Sequence, residues 1–120
     1  MNEIDPHVQK LLEDIYVSAK RIVDRLQNET REGFLSAGGM DLQDIVARRL
    51  TIIGEASAAL FRKYPEFCEQ HQSIPLRQAR GMRNFLVHDY DDVDWGTVWI
   101  AVQEGLPQLI DSIAPFLSKK

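Results

Sequence analysis

The chain has 120 residues, of which 44% are hydrophobic, and a formal net charge of −4. This length holds one hydrophobic core and not two, so we expect a single domain over residues 1–120. The apolar share excludes a disordered chain, and no apolar run approaches the roughly 20 residues that cross a bilayer. The opening Met-Asn-Glu-Ile-Asp-Pro is unlike a secretory signal, and a single cysteine, Cys68, forms no internal disulfide. We therefore expect a cytoplasmic protein.

The charge balance sets 14 Lys and Arg against 18 Asp and Glu. Broad, sequence-independent binding of nucleic acid relies on a basic surface, which this balance disfavours. If RNA is the substrate, its contact is local or is completed by a second chain. The acidic surface also suits a basic protein partner.

Apolar spacing predicts a long first helix. Asp5 is the expected N-cap and Pro6 the first helical residue. Apolar residues then recur at intervals of three and four up to Leu26, which predicts a helix that ends near Asn28 or Glu29. Between Thr30 and Ser36 we expect one short turn of helix with Phe34 and Leu35 facing inward, ended by Ala37-Gly38-Gly39.

A second long helix is predicted from Asp41, as N-cap, to Tyr64, where Pro65 stops it. Its apolar residues form an inward stripe and a flanking one, which is typical of a central helix with several neighbours. Gly54, within this helix, costs about 1 kcal/mol relative to alanine. We expect the close approach of another helix to compensate for it.

Residues 65–74 are predicted to be an irregular connection, and Pro75 to begin a third helix. After an acidic loop, Asp89 to Asp94, we expect Asp94 to cap a last helix that Pro107 kinks or breaks. No segment predicts a strand. The expected architecture is all-α, an antiparallel up-and-down bundle of about four main helices.

The predicted third helix has an apolar face and a polar face. At 100° per residue, Ala79, Met82 and Leu86 form an apolar face. The opposite face holds polar side chains with Arg80 at its edge; these are Arg77, Asn84 and His88. Arg83 lies on the margin of the apolar side, so it must pair, extend its guanidinium to solvent, or face another subunit.

Arg83 and His88 are five residues apart, about 140° around a regular helix. They converge on one small target only if the helix ends near His88, or if two copies of the segment face each other. A structural interpretation is also open. On this view His88 interacts with a helix dipole and Arg83 is an ordinary salt-bridge partner.

The stretch from Arg83 and Asn84 to His88-Asp89-Tyr90 resembles the R-x4-H-x-Y signature of the HEPN superfamily, specifically its HepT-like toxins. Other segments fit the same family in the same order along the chain: residues 49–56 (Arg-Leu-Thr-Ile-Ile-Gly-Glu-Ala), 63–66 (Lys-Tyr-Pro-Glu), 98–99 (Val-Trp) and 106–109 (Leu-Pro-Gln-Leu). Ile74-Pro75-Leu76 departs from it, because relatives often carry a tryptophan ahead of the motif helix.

The resemblance implies a homodimer in which two R-x4-H motifs line a shared cleft. It implies metal-independent RNA cleavage, in which a ribose 2′-OH attacks the adjacent phosphorus. His88 would be the general base or acid and Arg83 would bind the scissile phosphate. Asn84 would hold the substrate or orient His88, and Arg80 would extend the phosphate-binding surface. No cofactor or metal is implied, since the chain has no Gly-rich phosphate loop and no zinc-ligand spacing.

Tyr90 matches the tyrosine that, in HepT-like toxins, a partner minimal nucleotidyltransferase modifies with AMP. The resemblance thus implies the toxin of a type VII toxin–antitoxin pair, silenced when the added nucleotide fills the cleft and repels RNA. The alternative is a non-catalytic HEPN module that pairs with a nucleotidyltransferase and binds nucleotide. The acidic charge favours that alternative, whereas intact Arg83, His88 and Tyr90 favour the ribonuclease. Glu55 could pair with an arginine of the motif helix.

Overall fold

The computed structural model describes residues 4–86 and 93–117, which contain six α-helices and no strand. The helices are α1 (Pro6–Leu26), α2 (Arg31–Leu35), α3 (Met40–Lys63), α4 (Pro65–Gln70), α5 (Leu76–Gly81) and α6 (Trp95–Leu117), with 3-10 segments at Ala37–Gly39 and Met82–Leu86. The predicted all-α class is therefore confirmed. None of the described helices has a stretch long and apolar enough to span a membrane.

Both predicted aspartate caps at the outer helices are confirmed. At α1, the Asp5 carboxylate accepts a hydrogen bond of 2.7 Å from the backbone N–H of His7, and a proline occupies the first turn. At α6, the Asp94 carboxylate accepts bonds from the Thr97 N–H at 3.1 Å and the Thr97 hydroxyl at 2.9 Å. These two bonds are the main cause of a lowered pKa at Asp94, since they favour the charged form of the carboxyl group.

The core lies among α1, α3 and α6. α1 packs along both of the other long helices, and the apolar stripes predicted for them point inward. Side chains without exposed surface come from all three helices; they include Leu12, Ile15, Ile22, Val46, Leu50, Ile53, Leu60, Val98, Leu106 and Ile113. α5 and the 3-10 segment Met82–Leu86 pack against α3, so α3 contacts several neighbours, as its two apolar stripes predict.

The short helix α2 is confirmed, but only one of the two side chains predicted to face inward is buried. Thr30 caps it by accepting a 3.0 Å bond from the Gly33 N–H. Phe34 is fully buried against the indole rings of Trp95 and Trp99, at centroid distances of 5.9 and 5.3 Å. Leu35, expected to face inward, is 36% exposed, because a helix of five residues turns only one face to the core.

The start of α3 differs from the prediction. Asp41 is not the N-cap; Gly39 holds that position, and Asp41 lies in the first turn. The reason is that the 3-10 segment Ala37–Gly39 runs straight into α3. Gly39 is needed there, because a Cβ at this position would lie 2.4 Å from the carbonyl oxygen of Phe34. In the first turn, the Asp41 carboxylate still interacts favourably with the helix dipole.

One prediction about proline was wrong, and of the kink or break predicted at Pro107 the break was wrong as well. Residues 65–74 are not wholly irregular, because Pro65 both ends α3 and begins α4; a proline suits the first helical position, where its missing N–H has no partner to lose. Pro107 does not break the last helix, since α6 runs without interruption from Trp95 to Leu117. Pro107 is exposed, as is Gln103, whose carbonyl loses its helical donor, so water can satisfy that carbonyl.

Candidate functional site

The segment that carries the motif is not one regular helix. Pro75 is the N-cap of α5 rather than its first residue, and α5 ends at Gly81. A tighter 3-10 segment, Met82–Leu86, follows at once. Because a 3-10 helix has 3.0 residues per turn instead of 3.6, the regular α-helix on which the 140° estimate rests ends before Arg83.

The apolar side of this segment is as predicted. Leu76, Ala79 and Met82 are buried, whereas Leu86, near the end of the 3-10 segment, is half-buried. The polar residues of the opposite side are exposed; they are Arg77, Arg80 and Asn84. The segment therefore fixes itself to the bundle on one side and offers polar groups to solvent on the other.

Arg83 is exposed as a residue, but its aliphatic part is packed on α3 at Gly54. A Cβ placed on Gly54 would lie 2.8 Å from the Cβ of Arg83, 2.9 Å from its Cγ and 3.1 Å from its Cδ. The close approach predicted for Gly54 is thus confirmed. The stem lying along the surface of α3 agrees with one of the expectations for Arg83, and the expectation that it faces another subunit stays a prediction.

Arg80 also packs against α3. Its Cζ lies 4.4 Å from the centroid of the Phe61 ring, a cation–π geometry. Phe61 follows Gly54 by seven residues, about two helical turns, and so shares its face of α3. Two arginines of the motif segment therefore lie side by side on one face of α3. No local pattern in the sequence signals this contact between Phe61 and Arg80.

Neither arginine has an acidic partner in the described part of the chain. Ion pairs within residues 4–86 and 93–117 include Lys10–Asp14 at 2.8 Å and Lys20–Asp24 at 3.6 Å, both within α1. Glu55, expected to pair with a motif arginine, is exposed and forms no such pair among these residues. Among the described residues, therefore, no carboxylate forms an ion pair with the Arg83 guanidinium.

A surface cavity lies on each side of the motif segment. One, of about 500 Å³, is lined by residues of α3, α4 and α5, including Phe61, Cys68 and Arg77. The other, of about 420 Å³, lies between the motif segment and α6, and its lining includes Met82 and Phe85. Within the described ranges, no three His, Cys, Asp or Glu side chains gather in a group that could hold a metal ion.

The two histidines outside the motif have partners that sequence reasoning missed. His7 lies with its Nδ1 at 2.7 Å from the Tyr64 hydroxyl. His71 is half-buried, and its ring lies 4.4 Å from that of Phe67 and 5.2 Å from that of Phe116. Both belong to an aromatic cluster at the end of the bundle where α1, α4 and α6 meet. The contacts of His7 with Tyr64 and of His71 with Phe116 join residues far apart in sequence and leave no local signal, whereas Phe67 lies only four residues before His71.

Several predicted residues lie outside the described residues. These are His88, Tyr90 and, from the acidic loop, Asp89, Asp91 and Asp92. In the chain they stand between the 3-10 segment that carries Arg83 and Val93, one residue before the α6 cap. Their roles stay predictions.

Comparison with known proteins decides the family. The family described as "Ribonuclease HepT-like" matches residues 15–115, which is most of the chain and includes the whole motif. The chain belongs to the HepT-like ribonuclease family. This membership confirms the resemblance drawn from the motifs, the all-α fold that goes with it, and the expected class of enzyme, a ribonuclease.

Curated HepT-like relatives agree. "Probable ribonuclease HepT" of Thermococcus cleftensis is 36% identical over 82% of this chain and 84% of its own length. A "Putative RNase" of Caldanaerobacter subterraneus subsp. tengcongensis is 29% identical over 91% of this chain and 93% of its own length. The chain spans only 48% of "Gamma-glutamylcyclotransferase and putative RNase" of Methanocaldococcus jannaschii, at 32% identity. No solved structure matches this HepT-like chain.

Proposed function

We propose that this chain is the toxin of a type VII toxin–antitoxin pair and that it cuts RNA without a metal ion at a site built on Arg83 and His88. Its membership of the HepT-like ribonuclease family supports the ribonuclease, and the names of its relatives support it further. The observation that carries the site is Arg83, an exposed residue with no acidic partner in the described residues and with a stem packed on α3.

Arg83 binds the scissile phosphate. Its planar guanidinium donates two parallel hydrogen bonds to phosphate oxygens, and its charge stabilises the negative charge that builds up on phosphorus as the nucleophile attacks. Because the chain as a whole carries a net charge of −4, attraction to RNA depends on such local cations. Arg80, held over the ring of Phe61, supplies a second positive charge for the RNA backbone.

His88 provides the proton transfers. As a general base it removes the proton of the ribose 2′-OH, whose oxygen then attacks the adjacent phosphorus. The bond from phosphorus to the 5′-oxygen of the next nucleotide breaks, and that oxygen takes up a proton from an acid. The products are a 2′,3′-cyclic phosphate and a free 5′-hydroxyl. Asn84 holds the substrate or orients the His88 imidazole, and histidine is the residue type whose ordinary pKa lies nearest to neutral pH.

The complete site is a shared cleft of a homodimer. Two copies of the motif segment face each other, so that arginine and histidine act together across the pair. Tyr90, two residues from His88, accepts AMP from a partner nucleotidyltransferase, the antitoxin. The transferred nucleotide adds bulk and negative charge beside the cleft, and it therefore excludes the RNA backbone.

The deciding experiment incubates the purified protein, made without a nucleotidyltransferase, with RNA in EDTA. Cleavage should be lost in Arg83→Ala and in His88→Ala. Arg48→Ala, which changes an exposed arginine of α3 outside the motif segment, is the matched control and should keep wild-type activity. An RNA with 2′-deoxyribose at the cut position should stay intact, because it lacks the nucleophile. Cleavage that persists in both Arg83→Ala and His88→Ala would refute the assignment.

The rival function, a non-catalytic module that binds nucleotide and a nucleotidyltransferase, gives a different result in the same assay. The wild-type protein then leaves RNA intact but still forms a complex with its partner. Mass analysis of protein co-expressed with the neighbouring nucleotidyltransferase gene tests Tyr90 separately. Addition of one or more AMP groups, absent in Tyr90→Phe, is expected. An unmodified Tyr90 would remove the AMP-transfer proposal and leave the ribonuclease untouched.

A further inference from the structure

We propose that Gly54 is a positioning residue for Arg83, and that its missing side chain sets where the guanidinium meets RNA. The proposal rests on the function proposed for Arg83. It assigns a role to the family-like stretch Arg49–Ala56, which the ribonuclease chemistry leaves unexplained. Gly54 touches no reacting atom; it acts only through the arginine.

The geometry at Gly54 leaves no room for any other residue. The three nearest atoms to a Cβ there are all in the Arg83 side chain, at 2.8 to 3.1 Å, closer than carbon atoms pack without overlap. The first of them is the Cβ of Arg83, which is fixed to the backbone. A change of rotamer therefore cannot relieve the overlap. With alanine at position 54, the 3-10 segment Met82–Leu86 has to move away from α3, and Arg83 moves with it.

Other glycines near the motif do not have this relation to a site residue. A Cβ on Gly81 meets nothing within 4 Å, and one on Gly105 meets only the end of the flexible Met82 side chain, at 3.3 Å. Within α3 itself, glycine is a poor helix former and alanine the best. The glycine at position 54 is therefore unfavourable locally and useful only for the approach of the arginine-bearing segment.

The effect on cleavage follows from how strictly phosphate must be placed. A displacement of about 1 Å in a positioning group can cost a hundredfold in rate. Gly54→Ala should accordingly lower the single-turnover rate of RNA cleavage at saturating RNA by about ten- to a hundredfold. Gly81→Ala, the same substitution in the motif segment itself, is the matched control and should cleave at the wild-type rate.

Two further measurements separate positioning from a general effect on folding. Arg83→Gly removes all three carbons that the new methyl group would strike, so any loss of Tm in Gly54→Ala should be recovered in the double variant Gly54→Ala/Arg83→Gly. In ¹⁵N spectra, the Arg83 Nε–H resonance, assigned by its loss in Arg83→Lys, should shift in Gly54→Ala and stay in place in Gly81→Ala.

Each outcome has one meaning. Wild-type cleavage by Gly54→Ala overturns the proposal, and so does a Tm loss that Arg83→Gly does not restore. If the wild-type protein cleaves no RNA, the proposed function fails instead. The Nε–H shift and the Tm rescue still test the contact between Gly54 and Arg83 in that case, because neither depends on catalysis.

Discussion

The two sides of α3 differ in the side chains that they contact. One side of α3 faces α1, since Arg49 lines a groove together with Arg21 and Arg25 of α1. Ile53 and Leu60 lie on this side and are fully buried. On the other side, Gly54 and Phe61 receive the stems of two arginines. One side buries aliphatic side chains in the core, and the other receives the motif segment and holds the stems of its two arginines. We therefore expect substitutions on the two sides to separate stability from the proposed chemistry.

The largest expected effect is on the side that faces α1. Ile53→Ala should lower the free energy of unfolding by about 2–5 kcal/mol, because it leaves a cavity in the core. Ile100→Ala, at a position that is 49% exposed, is the matched control and should change it little. Urea denaturation followed by circular dichroism measures both. If Ile53→Ala costs no more than Ile100→Ala, the α1 side is not what stabilises the fold.

On the side of α3 that receives the arginine stems, we expect substitutions of those arginines to change the rate of RNA cleavage and to leave the Tm unchanged. Arg83→Lys keeps the charge and most of the stem but loses the planar pair of donors, so cleavage should fall by about a hundredfold. Because the residue is exposed, the Tm should stay within about a degree of wild type. Arg48→Lys is the control in the same RNA cleavage assay. Full activity in Arg83→Lys would show that only a point charge is needed.

Sequence reasoning succeeded where the signal was periodic or was a cap. The apolar stripe of α1, and the caps at Asp5 and Asp94, depend on residues within a few positions of one another. It failed at Pro65, taken only as a stop signal although it begins α4. It also failed at Gly81, beyond which the chain changes from α-helix to 3-10 helix, since no residue in that stretch marks the change.

The site was predictable only where its signal lies within a short stretch of sequence. The motif spacing and the family resemblance pointed to Arg83 and His88, and Gly54 was expected to mark a close approach. What it approaches could not be deduced, because Gly54 and Arg83 are 29 positions apart and the contact exists only in the folded chain. The same holds for Phe61 and Arg80.

A smaller effect is expected at Ser57, which is buried in α3 one turn after Gly54 and so also tests how the two sides of α3 differ. Its hydroxyl has no hydrogen-bond partner among the described residues, and an unsatisfied buried group is costly. Ser57→Ala should raise the free energy of unfolding by about 1 kcal/mol. Ser112→Ala is the control, because the Ser112 hydroxyl donates a 2.9 Å bond to the Leu109 carbonyl, and it should not stabilise. A loss of stability in Ser57→Ala would mean that the hydroxyl has a partner.

The smallest effect should be seen at Cys68, which reports the position of Arg80. Burial raises the pKa of the Cys68 thiol, and the positive charge of Arg80 partly offsets this by favouring the thiolate. The pH dependence of Cys68 alkylation should thus have a midpoint above the ordinary cysteine value, and Arg80→Gln should move it higher still. The midpoint is the quantity to compare, because a change in access to the thiol alters the plateau rate and not the pKa. Arg48→Gln, which removes the same charge from an exposed arginine in the first half of α3, is the control and should leave the midpoint in place. A midpoint that falls or stays fixed in Arg80→Gln would mean that Arg80 does not lie over Phe61 in solution, and the arginine-bearing side of α3 would then present one cation instead of two.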